Sequence, residues 1–466
     1  MSWVFAGILA YIAVQLMIGF WVSRFIQTEQ DYLLAGRQLG PWLGTFTIFA
    51  TWFGAESCIG SAGAIYEGGL SGGSADPFGF GLCLILMGLV FAVPLWKRNM
   101  TTLADLFRQR YSGSVEKIAV LFMLPTTVMW AAAQIRAFGQ VLSASSELDV
   151  TIAITIAALI VVIYTVAGGL LADAITDSVQ GVILIIGLVG IVVYMFLGEP
   201  DLPAVIASIP DERWSIWGPA DESIWLKIDT WAIPLCGSVV AQELVARVIA
   251  TKSPEIARRA SLQAGTMYLL VGLIPASIGL VGFALMPDLQ IAEQILPSMA
   301  QRYLPTFFYV IFAGALVSAI LSTVDSALLV ASSLVSHNVV QRFRPGMTEA
   351  SKVKSARIGV VAFGIVAYVI AMYATGIYDL VVDAAAFGTA GIFTVVVFGL
   401  FTNLGSVKTA TATLLMAMIS WLLLTYVYEI EFAYIVSLAL SIATYLIVSV
   451  FDSKGNNESV LSPSAA

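Results

Sequence analysis

About thirteen apolar stretches of bilayer-spanning length follow one another along this chain, and no soluble architecture accommodates such a series. They run at roughly 3–24, 41–66, 76–97, 116–145, 150–170, 172–197, 225–250, 262–286, 306–337, 354–376, 379–402, 408–428 and 431–451. Inside a bilayer every backbone amide and carbonyl must find a partner within the protein, which leaves helices or closed barrels. Continuous apolar runs of this length read as helices. The expectation is an all-α polytopic membrane protein of about 13 transmembrane helices, with residues 1–451 forming one transmembrane domain. Charged residues make up 11% of the chain, against about 25% in soluble domains. The first stretch, Trp3 to Arg24, lacks a small-residue cleavage signature after it and reads as an uncleaved helix, not a signal peptide. Residues 452–466 are polar and Ser/Asn-rich and read as a disordered cytoplasmic tail.

Loop charges orient the chain, because cytoplasmic loops collect Lys and Arg. With the N-terminus outside, the inner loops carry Arg24 and Arg37; Lys97, Arg98, Arg108, Arg110 and Lys117; Lys252, Arg258 and Arg259; Arg342, Arg344, Lys352, Lys354 and Arg357; and Lys408. The outer loops and their edges keep little beyond Arg213, Lys227 and Arg302. An odd number of spans with a cytoplasmic C-terminus follows, in the plasma (inner) membrane. Only Gly168, Gly169 and a few neighbours separate the stretches at 150–170 and 172–197.

Several function classes drop out. The single histidine, His337, removes a histidine relay, a histidine-based metal site and a Ser-His-Asp triad. Cys58, Cys83 and Cys236 lie in apolar stretches without metal-ligand spacing and read as buried thiols. The chain has no Walker A sequence, so ATP is not indicated, and no nucleophile-base pair marks it as an enzyme. The expected partners are a small-molecule solute and the lipid bilayer, with no nucleic acid; the oligomeric state stays open.

The segment from Phe307 to Val335 carries the most informative polar pattern. Ala319, Ser322, Thr323 and Ser326 fall at i, i+3, i+4 and i+7, one face of a helix, and could present a stripe of oxygens to a small hard cation. The plainer reading is that these hydroxyls bond the carbonyl four residues back or pack helices together. Asp325 weighs against it, since a carboxylate at membrane depth costs roughly 2.5–3.5 kcal/mol and calls for a partner.

Two spans are interrupted by polar and small residues. The first runs from Ala50 through Trp52, Phe53, Gly54, Glu56 and Ser57 to Gly60; the other from Pro234 through Gly237, Ser238, Gln242 and Glu243 to Arg247. Glycines and carboxylates there indicate locally unwound helices whose freed carbonyls line a cavity. With the stretch at 3–24 set aside, these are the first and sixth of ten spans, corresponding positions in two five-helix halves, at about 41–197 and 225–402. That is the pointer to an inverted-repeat transporter. Close helix packing is the alternative use for such glycines. Asp173, Thr176, Asp177 and Gln180 recur at helical spacing after Gly169, either as a polar face toward a water-filled path or an ion or with Asp173 capping a helix and Asp177, one turn deeper, the working residue. Arg136 lies deep in its span and needs a carboxylate, for which Glu56 and Glu243 are candidates. Asp379 and Asp383 precede Phe387-Gly388, either as a helix start or as a gate.

Taken together, Tyr164-Thr165-x-x-Gly168-Gly169, then Thr176-Asp177-x-x-Gln180, the Ser322-Thr323 pair, and Arg247 with the basic loop to Arg259 resemble the sodium:solute symporter family over about residues 3–450. The resemblance implies the leucine-transporter fold, ten core helices in two inverted repeats, here with one helix before and two after. It implies sodium as coupling ion, held by the carbonyls of Ala50, Phe53 and Ala319 and the hydroxyls of Ser322 and Thr323. A second sodium in some members maps to Asp177, Ser322 and Ser326, with Asp325 standing where those members have a hydroxyl. The choline-transporter branch is similar to this chain at Asp325.

The family's solute position maps to Trp52, Glu56, Ser57, Trp130, Gln134, Gln242 and Glu243, with Arg136 nearby. Trp52 and Trp130 match aromatic positions of the choline branch and suit a cation over an aromatic face, whereas Ala241 replaces a third aromatic and also the asparagine of the sugar pattern. A pocket of Glu56, Glu243 and Arg136 fits an amino-acid-like zwitterion or organic amine. The expected function is sodium-coupled import of a small polar solute by alternating access. The rivals are a proton-coupled carrier of the same fold using Asp177, Asp325 or Glu56, a sugar or carboxylate symporter, and a membrane solute sensor. The short tail after the last span weighs against a fused output domain.

Overall fold

The computed structural model describes residues 10, 13–14, 17–18, 20–54, 56–144, 148–374 and 376–460. Among the described residues the secondary structure is helical, with one isolated bridge between Leu39 and Thr251. The helices that build the site are α1 (Glu29–Leu34), α2 (Pro41–Trp52), α3 (Ser61–Gly68), α4 (Gly113–Ala144), α5 (Val150–Gly198), α6 (Ile224–Ala232), α7 (Gln242–Ile249), α8 (Pro254–Leu285), α9 (Thr306–Val335), α10 (Glu349–Tyr373), α11 (Ile377–Ala386), α12 (Thr389–Phe401), α13 (Val407–Tyr426) and α14 (Ala433–Val460).

Among the described residues nine helices are long and apolar enough to cross a bilayer, or up to 11 if two bent pairs each count as one span. The expected count of 13 is not reached, for two reasons. The stretch at 3–24 lies largely outside the described residues. The stretch at 41–66 is not one helix: α2 ends at Trp52, and its second half joins the following span in the run Glu56–Lys97. The other expected spans each have a counterpart, including the bent pairs at 224–249 and 380–401.

Three breaks give the bundle its character. At the first, Phe53 leaves helical geometry (φ −86°, ψ 69°) and the Gly54 amide turns back to the Trp52 carbonyl at 3.1 Å. A continuing helix would have sent that amide to Ala50, so the Ala50 carbonyl is released. The second break runs through a wide turn at Ile233–Gly237 and a tight one at Ser238–Val240 to an extended Ala241, with a 45° bend. Gly237 is required there, because a Cβ would sit 2.2 Å from the Ala385 carbonyl oxygen. The third break, at Phe387-Gly388, bends α11 against α12 by 40°. Asp379, whose side chain lies outside the described residues, and Asp383 belong to α11.

α5 contains the Gly168-Gly169 connection. Gly169 takes φ 62°, ψ −178° and divides the helix into spans Val150–Ala167 and Gly169–Gly198. Only glycine adopts that conformation without strain, and Tyr32 of α1 fills the kink, its hydroxyl donating to the Thr165 carbonyl at 3.0 Å. A Cβ on residue 169 would lie 2.7 Å from the Tyr32 ring. Gly169→Ala therefore combines backbone strain, about 1–3 kcal/mol, with a clash. Thermal unfolding should show a clearly lower midpoint for it than for Gly190→Ala in the same helix, where the nearest atom is an unstrained 3.6 Å from the new Cβ. Equal midpoints would mean that the kink carries no strain.

α9 lies at the centre, packed chiefly on α5 and α4. Ala315, Val317, Ile320, Val324, Ala327 and Leu328 are fully buried. The small side chains among them, Ala315 and Ala327, let membrane helices approach closely, since lipid supplies no hydrophobic drive between them. The oxygen stripe of α9 is consequently held at fixed distance from its neighbours.

Candidate ion and solute site

The stripe on α9 meets two other helices. The Thr323 hydroxyl lies 3.1 Å from the Ala319 carbonyl and 3.5 Å from the released Ala50 carbonyl. It also lies 2.7 Å from where a Cβ on Gly54 would stand, so the break in α2 is pressed directly against α9. Of the five expected ligands, Ala50, Ala319 and Thr323 thus come together through hard oxygens, while the Ser322 hydroxyl turns to Asp173 and Asp177; all three, with Ser322 and Phe53, are buried.

Beside them is a dense polar knot. The Ser322 hydroxyl donates to Asp173 Oδ1 at 3.1 Å and is bonded to Asp177. Ser326 donates to Asp173 Oδ2 at 2.7 Å, and Thr47 of α2 donates to Asp177 Oδ2 at 2.6 Å. Arg247 of α7 donates from Nη2 to Asp173 at 2.5 Å, contacts Ser326, and donates from Nη1 to the Glu243 carbonyl at 3.2 Å. Asp325 is 0% exposed, and neither of its oxygens has a hydrogen-bond partner among the described residues. Among the described residues only Asp173 of these three acids pairs with a guanidinium, which leaves an excess of negative charge that a bound cation would relieve.

Asp173 does not cap a helix. The kink at Gly169 starts the second half of α5 four residues earlier, and the Asp173 carboxylate is spent on Arg247, Ser322 and Ser326. Arg136 likewise finds no carboxylate among the described residues. Its Nη1 donates to the Ala371 carbonyl at 3.2 Å, in the last turn of α10, where carbonyls lack helical partners. Sequence reading passed over the role of Arg247 and the contribution of Thr47, since neither is marked by local spacing.

A second feature opens beside the first two breaks. A cavity there is walled by Thr51 and Trp52, by Thr127 and Trp130 of α4, by Ser238, Ala241, Gln242 and Glu243, and by Ala385 and Thr389. Trp52 and Trp130 meet edge to face with centroids 5.0 Å apart, and Phe80 lies 4.9 Å from Trp52. Trp52 Nε1, Ser238 Oγ and one Glu243 carboxylate oxygen have no hydrogen-bond partner among the described residues. Gln242 is held by the Leu103 amide at 2.5 Å and also lines a smaller cavity with Arg247 and Ser326. Of the other expected solute residues, Gln134 lies against Gly54 with both amide atoms unpartnered among the described residues. Glu56, Ser57 and Arg136 do not line the cavity.

Comparison with known proteins adds to this geometry. The model of the "Sodium:solute symporter family" matches residues 32–420. A high-affinity choline transporter of Caenorhabditis elegans is 28% identical over 76% of this chain and 66% of its own length. The chain thus spans just under two thirds of that relative. A sodium/pantothenate symporter of Haemophilus influenzae is 25% identical over 85% of this chain and 84% of its own. A substrate-bound, outward-open Na+-coupled sialic acid symporter superposes with a TM-score of 0.84 at 18% identity, over 97% of this chain and 98% of its own, which shows a shared fold.

Proposed function

Because the chain belongs to the sodium:solute symporter family, we propose that it imports a small organic amine together with sodium by alternating access. The chain is a transporter and not an enzyme, as expected, in line with relatives that are transporters. Sodium is taken at the junction of α2 and α9, by the carbonyls of Ala50, Phe53 and Ala319 and the hydroxyls of Ser322 and Thr323. An ion there joins the first break to the central helix, so solute binds better once it is present, and the tightening must be mutual. Asp177, Asp325 and Ser326 supply a second cation position. The N-terminus lies outside and the C-terminus in the cytoplasm, as the basic loops require.

The observation that carries the solute class is Glu243, which lines the cavity that Trp52 and Trp130 also wall and has one carboxylate oxygen without a hydrogen-bond partner among the described residues. An acid and aromatic faces together suit an ammonium group. Arg136 is bound elsewhere, to the Ala371 carbonyl, so the zwitterion half of the expectation loses its cation and the amine half remains. A thermal-shift panel of choline, betaine, proline, pantothenate and sialic acid, with and without sodium, tests the class, followed by uptake into liposomes. Stabilisation by an amine only in sodium is expected; stabilisation by pantothenate or sialic acid alone would overturn it. Glu243→Gln should weaken amine binding about tenfold or more, since a hydrogen bond to a charged group contributes roughly 1.5–3 kcal/mol.

A further inference from the structure

Beyond Val335 the central helix α9 continues through a wide turn, Ser336–Val340, at the end of the bundle that carries the basic loops. The run Thr306–Phe343 is 38 residues long, where about 20 suffice to cross a bilayer. Its first turns expose Phe307, Phe308 and Ile311, which suit lipid, and its last carry Gln341 and Arg342. His337, the single histidine of the chain, lies in those last turns between acids from two other segments. Its Nδ1 is 3.2 Å from both carboxylate oxygens of Glu29 on α1, and its Nε2 is 3.4 Å from Asp105 Oδ2 on the short helix Ala104–Arg110. A neutral imidazole has one N–H and donates to one acid only, whereas the imidazolium donates to both. The ring is placed as a cation between two carboxylates.

The two acids depend on that charge unequally. Asp105 also accepts the Thr101 and Thr102 amides at 2.9 and 3.1 Å and Asn338 Nδ2 at 3.1 Å, and pairs with Arg342 at 3.3 Å. Glu116 of α4, beside it, is held by Asn338 at 2.8 Å, Arg108 at 3.1 Å and Arg342 at 3.6 Å. Glu29 is buried, and among the described residues His337 is the one basic side chain paired with it; Gln341 adds a neutral bond at 2.5 Å. The remaining charges on the elements packed here are engaged elsewhere or exposed. Asp31 accepts the Thr28 amide at 2.9 Å, and Glu349 accepts the Glu29 amide at 3.0 Å and Lys352 at 2.7 Å. Arg37 bonds the Met100 carbonyl, Arg110 the Leu404 carbonyl at 2.8 Å, Lys117 lies over the Phe343 ring and Arg357 over that of Tyr32, while Arg344 and Lys354 are exposed. A neutral His337 would leave Glu29 a buried acid without a cation.

The three elements joined by this ring lead to the ion and solute sites. α1 precedes α2, whose break releases the Ala50 carbonyl, and α9 carries the oxygen stripe. The Asp105 segment starts beside Leu103, whose amide donates to Gln242 in the wall of the solute cavity. We propose that His337 is the latch of the gate at this end: as imidazolium it clamps α1 and the Asp105 segment to the end of α9, and the carrier opens to the side of the basic loops when the ring lets go. The proposal rests on the alternating-access reading above. The clamp is present while the ring is charged and is lost as pH rises through its titration, so the gate loosens toward alkaline pH. Release of the Asp105 segment also pulls on Gln242, which ties opening to the solute wall. Sodium, by joining α2 to α9, favours the same closed arrangement, and by reciprocity the latched ring favours sodium.

The test uses the purified, untagged full chain in nanodiscs. With ring-labelled histidine the NMR spectrum reports one residue, since the chain has one histidine, and both ring nitrogens should be protonated at neutral pH. Amide hydrogen exchange read by mass spectrometry follows the gate: His337→Gln should speed exchange about tenfold or more in residues 29–34 and 103–110, as loss of a charge-assisted bond implies. His337→Arg, which keeps a planar cation with donors on two sides, should stay near the wild-type rate. A neutral ring at neutral pH, no acceleration in His337→Gln, or equal acceleration in both variants overturns the latch. Acceleration spread over the whole chain overturns it as well, because it reports a loss of fold instead of a gate. NaCl separates this proposal from the transport reading: it should slow exchange in the wild type. No NaCl effect beside the local acceleration in His337→Gln would reject sodium coupling and uphold the latch.

Discussion

Sodium-driven uptake is expected to collapse in Asp177→Asn, a change that removes a charge and alters almost no volume. Asp177 is the point where α2, α5 and α9 meet, since it accepts Thr47 at 2.6 Å with one oxygen and is bonded to Ser322 with the other. Both bonds end on a carboxylate, and a hydrogen bond to a charged group contributes roughly 1.5–3 kcal/mol. The asparagine amide keeps an acceptor for only one of the two hydroxyls and turns a donor toward the other. It also removes a negative charge that the cation position depends on. Half-activation by sodium should therefore move up by about tenfold to a hundredfold, beyond the range of ordinary gradients. The measurement is the sodium dependence of solute uptake in liposomes at fixed membrane potential. A wild-type activation curve would take Asp177 out of the ion path and leave it as a structural tie.

The parts of this site that were legible from the chain are those written in one helix. The spacing of Ala319, Ser322, Thr323 and Ser326 fixes a common face whatever surrounds it, and α9 presents that face inward. Glycines and carboxylates inside apolar spans likewise announced the first two breaks, because a lipid-facing helix has no use for them. What spacing does not contain is which distant residue answers which. Arg247 and Asp173 are 74 positions apart, and only the reach of the Arg247 side chain from α7 to α5 joins them. Asp173 looked like a cap because Gly169 was placed in a loop; a single left-handed glycine instead kinks a nearly continuous helix and puts Asp173 one turn inside it. Asp76 stood at the margin of its apolar stretch and so did not register as a buried acid, although it is fully enclosed. Arg136 shows the converse: a long side chain solved its burial with a helix-end carbonyl, which no charge pattern records.

The largest loss of stability should follow from Arg247→Met. The guanidinium is fully buried and its Nη2 lies 2.5 Å from Asp173 and in contact with Ser326. Removing one member of a buried pair strands the other charge and costs about 3–5 kcal/mol, a large share of a typical folding free energy of 5–15 kcal/mol. Thermal unfolding should show a deep fall in midpoint and poor yield. Adding Asp173→Asn removes the stranded charge, so the double variant should recover much of the midpoint lost by the single one, giving a coupling energy outside the range of independent sites. Additive losses would mean that the two residues do not act as a pair. The recovered double variant then separates stability from function. Glu243 and Arg247 stand at i and i+4 on α7, the first lining the solute cavity and the second reaching the ion stripe. One short helix therefore connects the two, and Arg247 is its grip on α5 and α9. Without that grip the folded double variant should bind sodium and amine with little effect of either on the other, where the wild type links them.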